Sequence, residues 1–192
     1  MSVSKFAFFV IFMSVILACF GFLWKKPTLD DLHQSILSQH RGLAHISISK
    51  YLSLIDRSTD FDGSNSAPEI VNNVVLFDVR ESEEYDVGRI AGAIHLPPNM
   101  KAEDFEDRYA ALIQNKQVIF YCSVGRRSSD KLAEFNGLLQ KHGAQSAANL
   151  EGGIFSWVNQ GLDVEGEYVH PYNEYWGRLI NDSSKKSYLN QR

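Results

Sequence analysis

The residues best equipped for chemistry stand in one run, Tyr121-Cys122-Ser123-Val124-Gly125-Arg126-Arg127-Ser128-Ser129. A cysteine thiolate is a strong nucleophile, and Arg126 and Arg127 place positive charge beside this one, which favours the thiolate and attracts an anionic partner. Gly125 lets the loop take up backbone angles that a Cβ resists. Ser128 and Ser129 are candidate N-caps for a helix of about a dozen residues, whose apolar positions Leu132, Ala133, Phe135, Leu138 and Leu139 share one face. Backbone N–H groups of a tight loop and of a first helical turn lack internal partners, so with the helix dipole they form a concavity suited to negative charge. The chemistry expected is nucleophilic attack by Cys122 on an anionic or sulfur-bearing substrate. A lone cysteine after a core strand is more often an inert apolar residue, but a glycine, two arginines and two serines directly behind it reverse that expectation.

The elements that must position this loop follow from hydrophobic patterning. Val118-Ile119-Phe120-Tyr121 is a continuous apolar run, too short for a helix, and predicts a buried strand with Cys122 at its end. A second such run at 74–77 predicts another strand, further strands are expected at 93–96 and near 147–150, and Ile46 and Ile48 alternate with serines as in one more. Ser49 is a candidate cap for a short helix through Tyr51, Leu52, Leu54 and Ile55, and further helices are expected at about 82–87, 102–114, 128–141 and 154–160. Strands alternating with helices imply an α/β fold with a mainly parallel central sheet of about five strands, flanked by helices on both faces. Ligands of such sheets bind beyond the carboxyl ends of the strands, where Cys122 stands.

Four separated motifs resemble, in order, those of the rhodanese-like domains. Phe77-Asp78-Val79-Arg80 followed by Glu84-Tyr85 is similar to the family's DxR...EY segment, and Gly88-Arg89-Ile90-Ala91-Gly92-Ala93-Ile94-His95-Leu96-Pro97 to its G-[HR]-I-x-G-A-x-x-x-P segment. Cys122 to Ser128 resembles the active-site loop C-x-x-G-x-R-S, and Leu150-Glu151-Gly152-Gly153-Ile154-Phe155-Ser156-Trp157 the L-x-G-G-[IM]-x-x-W segment. The resemblance covers about residues 43–165. It implies a sulfurtransferase in which Cys122 takes the outer sulfur of thiosulfate or a persulfide donor, holds it as a persulfide and passes it to a thiol or cyanide. Substrate would be held by Ser123, Val124, Gly125, Arg126, Arg127 and Ser128, with Arg126 or Arg127 binding the donor anion and no metal or organic cofactor required. Phosphatases on the same fold carry cysteine, five residues and then arginine; here Arg127 is the fifth residue after Cys122 and Ser128 the sixth. The shorter loop suits one sulfur atom better than a phosphate. The competing reading from a different class is a non-catalytic rhodanese-like module for binding or sulfide sensing.

Other residues invite lesser roles. Asp78 and Arg80 are candidates for support of the site, although Asp78 at a strand end is more simply a partner or cap for nearby groups, and Arg80 with Glu84 a simple ion pair. His95 reads as a satisfied structural histidine before a proton carrier. Gly152 and Gly153 are expected in a tight turn, and Trp157 in the core.

The chain has 192 residues and a net charge of -4, with no long basic run, which argues against nucleic acid as a partner. Cys19 and Cys122 are its two cysteines, too far apart in sequence and context to form a disulfide framework, and the six histidines lack metal-ligand spacing. Residues 6–24 are interrupted only by Ser14 and Gly21; as a helix they would span about 29 Å, close to the bilayer's hydrocarbon thickness. Trp24 with Lys25 and Lys26 resembles an interfacial anchor, so 1–26 reads as a transmembrane anchor or uncleaved signal in a bacterial inner membrane. Ile16-Leu17-Ala18-Cys19 also resembles a lipoprotein box, with Cys19 the lipidated residue. Lys25 and Lys26 against Lys5 favour the cytoplasmic over the periplasmic side for the domain by a narrow margin, as does the reduced state a lone functional thiol requires. Residues 27–42 form a linker helix capped by Thr28, 43–165 the domain, and 166–192 a tail rich in Tyr and Trp that would dock on the domain or on a partner.

Overall fold

Continuous apolar runs become the inner strands of a five-stranded parallel sheet in the structure, a computed structural model that describes residues 26–56 and 73–181. The apolar segment 6–24, Cys19, the polar loop at 60–68 and Tyr188 lie outside the described residues. In chain order the elements are α1 (Leu29–Gln39), β1 (His45–Ile46), α2 (Ile48–Asp56), β2 (Val74–Asp78), α3 (Ser82–Val87), β3 (Gly88–Arg89) and β4 (Ile94–His95). There follow α4 (Ala102–Ile113), β5 (Gln117–Tyr121), α5 (Arg126–Lys141), β6 (Ser146–Leu150), α6 (Gly153–Asn159), β7 (Glu165–Gly166) and α7 (Glu174–Gly177). The sheet order is β1-β6-β5-β2-β4 with every pairing parallel, so β5 lies between β6 and β2.

Side chains alternate across a strand, so β5 needs apolar residues at successive positions only because both its faces are covered. Ile119 and Tyr121 join Leu76, Ala148 and Leu150 under α2 and α6, where Ile48, Tyr51, Ile154, Phe155 and Trp157 complete one core. Val118 and Phe120 face the other way with Val75 and Phe77, against Phe105 and Ile113 of α4 and Leu132, Phe135 and Leu139 of α5. The α/β architecture expected from the patterning is therefore present, with helices on both faces.

Several local expectations shift. Ile48 opens α2 rather than extending β1, and the hydroxyl that accepts from the first turn of that helix belongs to Ser47, bonded by the Lys50 N–H at 3.2 Å, not to Ser49. Helix α1 is capped by Thr28 as expected, in a reciprocal box with Asp31, and packs on the domain through buried Ile36. A two-stranded antiparallel ribbon, β3 with β7, ties the start of the C-terminal segment to the loop after α3. No helix among the described residues is long and apolar enough to cross a membrane.

Candidate active site

Cys122 immediately follows β5, and the chain then turns through Ser123, Val124 and Gly125 into α5. Gly125 has φ of 99°, a left-handed conformation that a side chain resists, and a Cβ there would press on the Asn149 side chain at 3.2 Å. The helix starts at Arg126, two residues earlier than expected, because Gly125 ends the turn and leaves Ser128 and Ser129 inside the first helical turn. Their hydroxyls serve the loop instead: Ser128 Oγ donates to Asn149 Oδ1 at 2.6 Å and Ser129 Oγ to the Gly125 carbonyl at 2.7 Å.

A second helix fixes the direction of the loop's peptide groups. The N–H groups of Ile154 and Phe155, at the start of α6, donate to the carbonyls of Cys122 and Ser123 at 2.9 and 3.0 Å. Gly152 and Gly153, both with positive φ, make the sharp entry into that helix, and a Cβ on Gly153 would stand 2.2 Å from the Cys122 carbonyl oxygen. With these carbonyls held outward by α6, the Gly125 N–H points at Cys122 Sγ, 3.2 Å away. The N–H groups of the first turn of α5 have no partner within that helix and lie on the same loop. Cys122 is 1% exposed, yet it lines a cavity of about 210 Å³ with Ser123, Val124, Arg126, Arg127, Tyr172 and Trp176. Among the described residues there is no cluster of three or more metal-ligating side chains.

The two loop arginines differ. Arg127 makes a bidentate pair with Glu84 at 2.7 and 2.9 Å and also donates to Ser123 Oγ at 2.9 Å. Ser123 Oγ in turn donates to Glu84 Oε1 at 2.8 Å, closing a three-residue network. Burial works against the charged Arg127 guanidinium, but its hydrogen bonds to Glu84 and its electrostatic interactions with Cys122 and Glu84 outweigh burial and raise its pKa. Burial likewise pushes Glu84 up, and the hydrogen bonds and charge of Arg127, with Ser123, more than reverse it, so the carboxyl is held below its ordinary range. Arg126 is exposed and donates to a neutral group, Gln39 of α1, at 3.0 Å; no carboxylate among the described residues pairs with it. Arg126 therefore brings uncompensated charge to the cavity, whereas Arg127 is spoken for by Glu84.

The expected Arg80–Glu84 pair is not formed. Arg80 folds back on Asp78 with contacts of 2.6 to 3.1 Å, its Nη2 also donating to the Gly88 carbonyl, and both side chains are fully buried. Tyr121 Oη donates to Asp78 Oδ2 at 2.6 Å and accepts from the Ile90 N–H at 3.1 Å. Asp78 and Arg80 thus brace the ends of β2 and β5 and do not line the cavity. His95 Nε2 is 2.9 Å from the Arg80 carbonyl and its ring stacks on Tyr85, a satisfied structural position.

Glu84, Asn149, Gly153, Tyr172 and Trp176 are site residues that the sequence reading did not assign to the site. Glu84 and Gly153 lie inside motifs already singled out; for Tyr172 and Trp176 the signal was only an aromatic-rich tail. The described part of that tail docks on its own domain. Trp157 Nε1 donates to the Asp163 carbonyl at 2.7 Å, Val169 and Ile180 are buried in the core beneath α6, and Asn159 holds the Leu179 carbonyl and the Asn181 N–H, both at 2.8 Å.

Residues 66–160 match the sequence profile of the rhodanese-like domain family. A tRNA uridine(34) hydroxylase of Shouchella clausii is 33% identical over 102 residues, 51% of this chain and 30% of that protein. The "Probable adenylyltransferase/sulfurtransferase MoeZ" of Mycobacterium tuberculosis is 33% identical over 87 residues, 45% of this chain and 21% of that protein. The chain thus spans less than a third of the length of either relative. The crystal structure of a thiosulfate sulfurtransferase from Pseudomonas aeruginosa aligns over 83% of this chain and 26% of its own, with 18% identity and a TM-score of 0.49. From the motifs, the parallel sheet with its cysteine loop and the profile match together, it follows that this chain carries a rhodanese-like domain.

Proposed function

We propose that the protein is a sulfurtransferase in which Cys122 carries sulfane sulfur from an anionic donor to a thiophilic acceptor. The observation that carries this reading is the Gly125 N–H directed at Cys122 Sγ within a loop whose carbonyls are drawn away by α6. With thiosulfate, the Cys122 thiolate attacks the outer sulfur, the S–S bond breaks and sulfite departs with the bonding pair. The product, a Cys122 persulfide anion, has its charge stabilised by the loop amides from Ser123 to Ser128, an oxyanion-hole type of assistance. Attack of cyanide or a thiolate on the terminal sulfur then returns Cys122. Arg126 supplies the charge that draws the donor in, and Arg127 acts through Glu84 and Ser123 to hold the loop's shape. We also propose that residues 6–24 anchor the domain to a membrane, on the strength of their apolar length and the Trp24-Lys25-Lys26 border.

The test is thiocyanate formation from thiosulfate and cyanide by the full chain and by Cys122→Ser, with mass spectrometry of the peptide bearing Cys122. We expect an increment of one sulfur on that peptide after thiosulfate treatment, and loss of turnover to the uncatalysed level in the variant. Equal thiocyanate formation by both proteins would defeat the transferase reading. A stable persulfide without turnover would favour the non-catalytic sensing module instead.

A further inference from the structure

The cavity over Cys122 is built from two unlike halves. One half is the loop itself, with its amides and Arg126; the other is the aromatic pair Tyr172 and Trp176, delivered from the C-terminal segment. The cavity of about 210 Å³ has room beyond an inorganic anion of five heavy atoms such as thiosulfate. Tyr172 is held in a costly way. Its φ is 65°, and the Asn173 N–H donates to the Pro171 carbonyl at 2.8 Å across it, a γ-turn with positive φ at a bulky residue. The residue is nevertheless 51% exposed, so burial of its own does not offset that strain. What the turn achieves is position: the ring lies against the Arg127 guanidinium, 5.3 Å from its centroid, at the rim of the cavity. Trp176 stands beside it in α7, whose N-terminus is fixed by Asn173 Oδ1 accepting from the Trp176 N–H at 3.1 Å. The segment is pinned on both sides, by β7 pairing with β3 and by Asn159 gripping Leu179 and Asn181, so this wall is preorganised.

We infer that Tyr172 and Trp176 form a specificity wall that selects sulfane-sulfur anions carrying an apolar or aromatic group, in preference to inorganic thiosulfate. The inference rests on the sulfurtransferase reading and names its donor class. For an organic thiosulfonate the step balances as R–SO2–S⁻ plus Cys122 thiolate giving Cys122 persulfide anion plus the sulfinate R–SO2⁻, which leaves with the S–S bonding pair. The anionic end of the donor sits towards the amides and Arg126, and the R group lies against the two rings and Val124.

Benzenethiosulfonate and methanethiosulfonate carry the same charge and differ in R, so their kcat/KM ratio reads the wall. Comparing that ratio between wild type and variants cancels the difference in their intrinsic reactivity. The full chain is expected to favour the benzene compound on the order of tenfold, and Tyr172→Ala and Trp176→Ala each to remove most of that preference, as expected for loss of one apolar contact face. Tyr172 is half exposed on a turn, so its truncation leaves the core intact, and Tyr172→Phe should keep the preference because the ring and not the hydroxyl carries it. A preference absent from the wild type, or unchanged in both alanine variants, overturns the inference while the transferase reading stands. Absence of persulfide on Cys122 with either donor and with thiosulfate overturns both.

Discussion

Two arginine–carboxylate pairs brace the sheet end that carries Cys122, and they do different work. Asp78 with Arg80 is sealed completely: both side chains are fully buried, joined by two-toothed contacts and closed off by Tyr121 and the Gly88 carbonyl. Glu84 with Arg127 is sealed on one side only, with Glu84 2% and Arg127 27% exposed. The first pair spans two residues of one turn and fixes the frame. The second spans 43 positions and ties the helix after β2 to the Cys122 loop after β5. Burial therefore separates a lock within the frame from a lock on the Cys122 loop, although both are built from the same two functional groups.

The largest effect should come from breaking the sealed pair. Arg80→Ala leaves the Asp78 carboxylate in the interior with Tyr121 as its remaining side-chain donor, and loss of one partner of a fully buried pair costs about 3–5 kcal/mol. Urea denaturation of the variant should show this loss as a lower midpoint with the slope kept. A cost below about 1 kcal/mol would mean that Asp78 finds solvent or a new partner, and the distinction between the two locks would fall.

Glu84→Gln should cost less stability, about 1–3 kcal/mol, because the half-buried Arg127 can turn outward when the carboxylate is neutralised. Activity should suffer more than stability: Ser123 loses a charged partner one residue from Cys122, and displacement of a reacting group lowers the rate of Cys122 persulfidation by about tenfold or more. The pair also has a pH signature. The Glu84 carboxyl titrates lower in the folded protein than its ordinary 4.5, so its contribution is present above pH 4.5 and is lost as pH falls below that through the folded value. Denaturation midpoints at pH 7 and pH 3.5 should therefore converge between wild type and Glu84→Gln on acidification. An undiminished gap at pH 3.5 would show that the charge on Glu84 is not what holds Arg127.

The sequence allowed the cradle to be placed but not its braces. The run from Val118 to Tyr121 had to be a covered strand because neither face could meet water, and Gly125 with two arginines behind Cys122 marks a turn into a helix. Arg80 and Glu84 looked like neighbours at a spacing of four, yet that spacing pairs side chains only on a helix, and α3 begins at Ser82, beyond Arg80. In the extended turn before it, the guanidinium reaches Asp78 first. The partner of Glu84 arrives only when β2 and β5 pair in register, Asp78 beside Tyr121, which no local pattern reveals. Tyr172 and Trp176 stood out as aromatic, but their place over Cys122 depends on the β3–β7 ribbon, two residues long on each side with one glycine in each strand. Gly88 is needed there because a Cβ would lie 2.2 Å from the Tyr168 carbonyl oxygen, a packing demand and not a propensity.

That ribbon supplies the comparison's outer limit, a third pair of the same chemistry placed in solvent. Arg89 Nη2 meets Glu165 Oε1 at 2.8 Å, as close as the contacts of Arg127, but Glu165 is 52% exposed. Arg89 is 24% exposed, much like Arg127, but water already solvates the Glu165 carboxylate, so pairing adds little and Arg89→Ala should cost less than about 1 kcal/mol. Arg89 also lies over the Tyr85 ring at 4.7 Å, a half-buried contact of similarly small worth. Salt offers the sharper discrimination: raising ionic strength from 0.05 to about 1 M should erase the difference between wild type and Arg89→Ala, because the Debye length falls to about 3 Å. The same salt should leave the Arg80→Ala deficit nearly unchanged, since no ions enter its site. If instead Arg89→Ala matched Arg80→Ala in cost, distance and not burial would set the strength of these pairs, and the ranking of the three would have to be rebuilt on geometry alone.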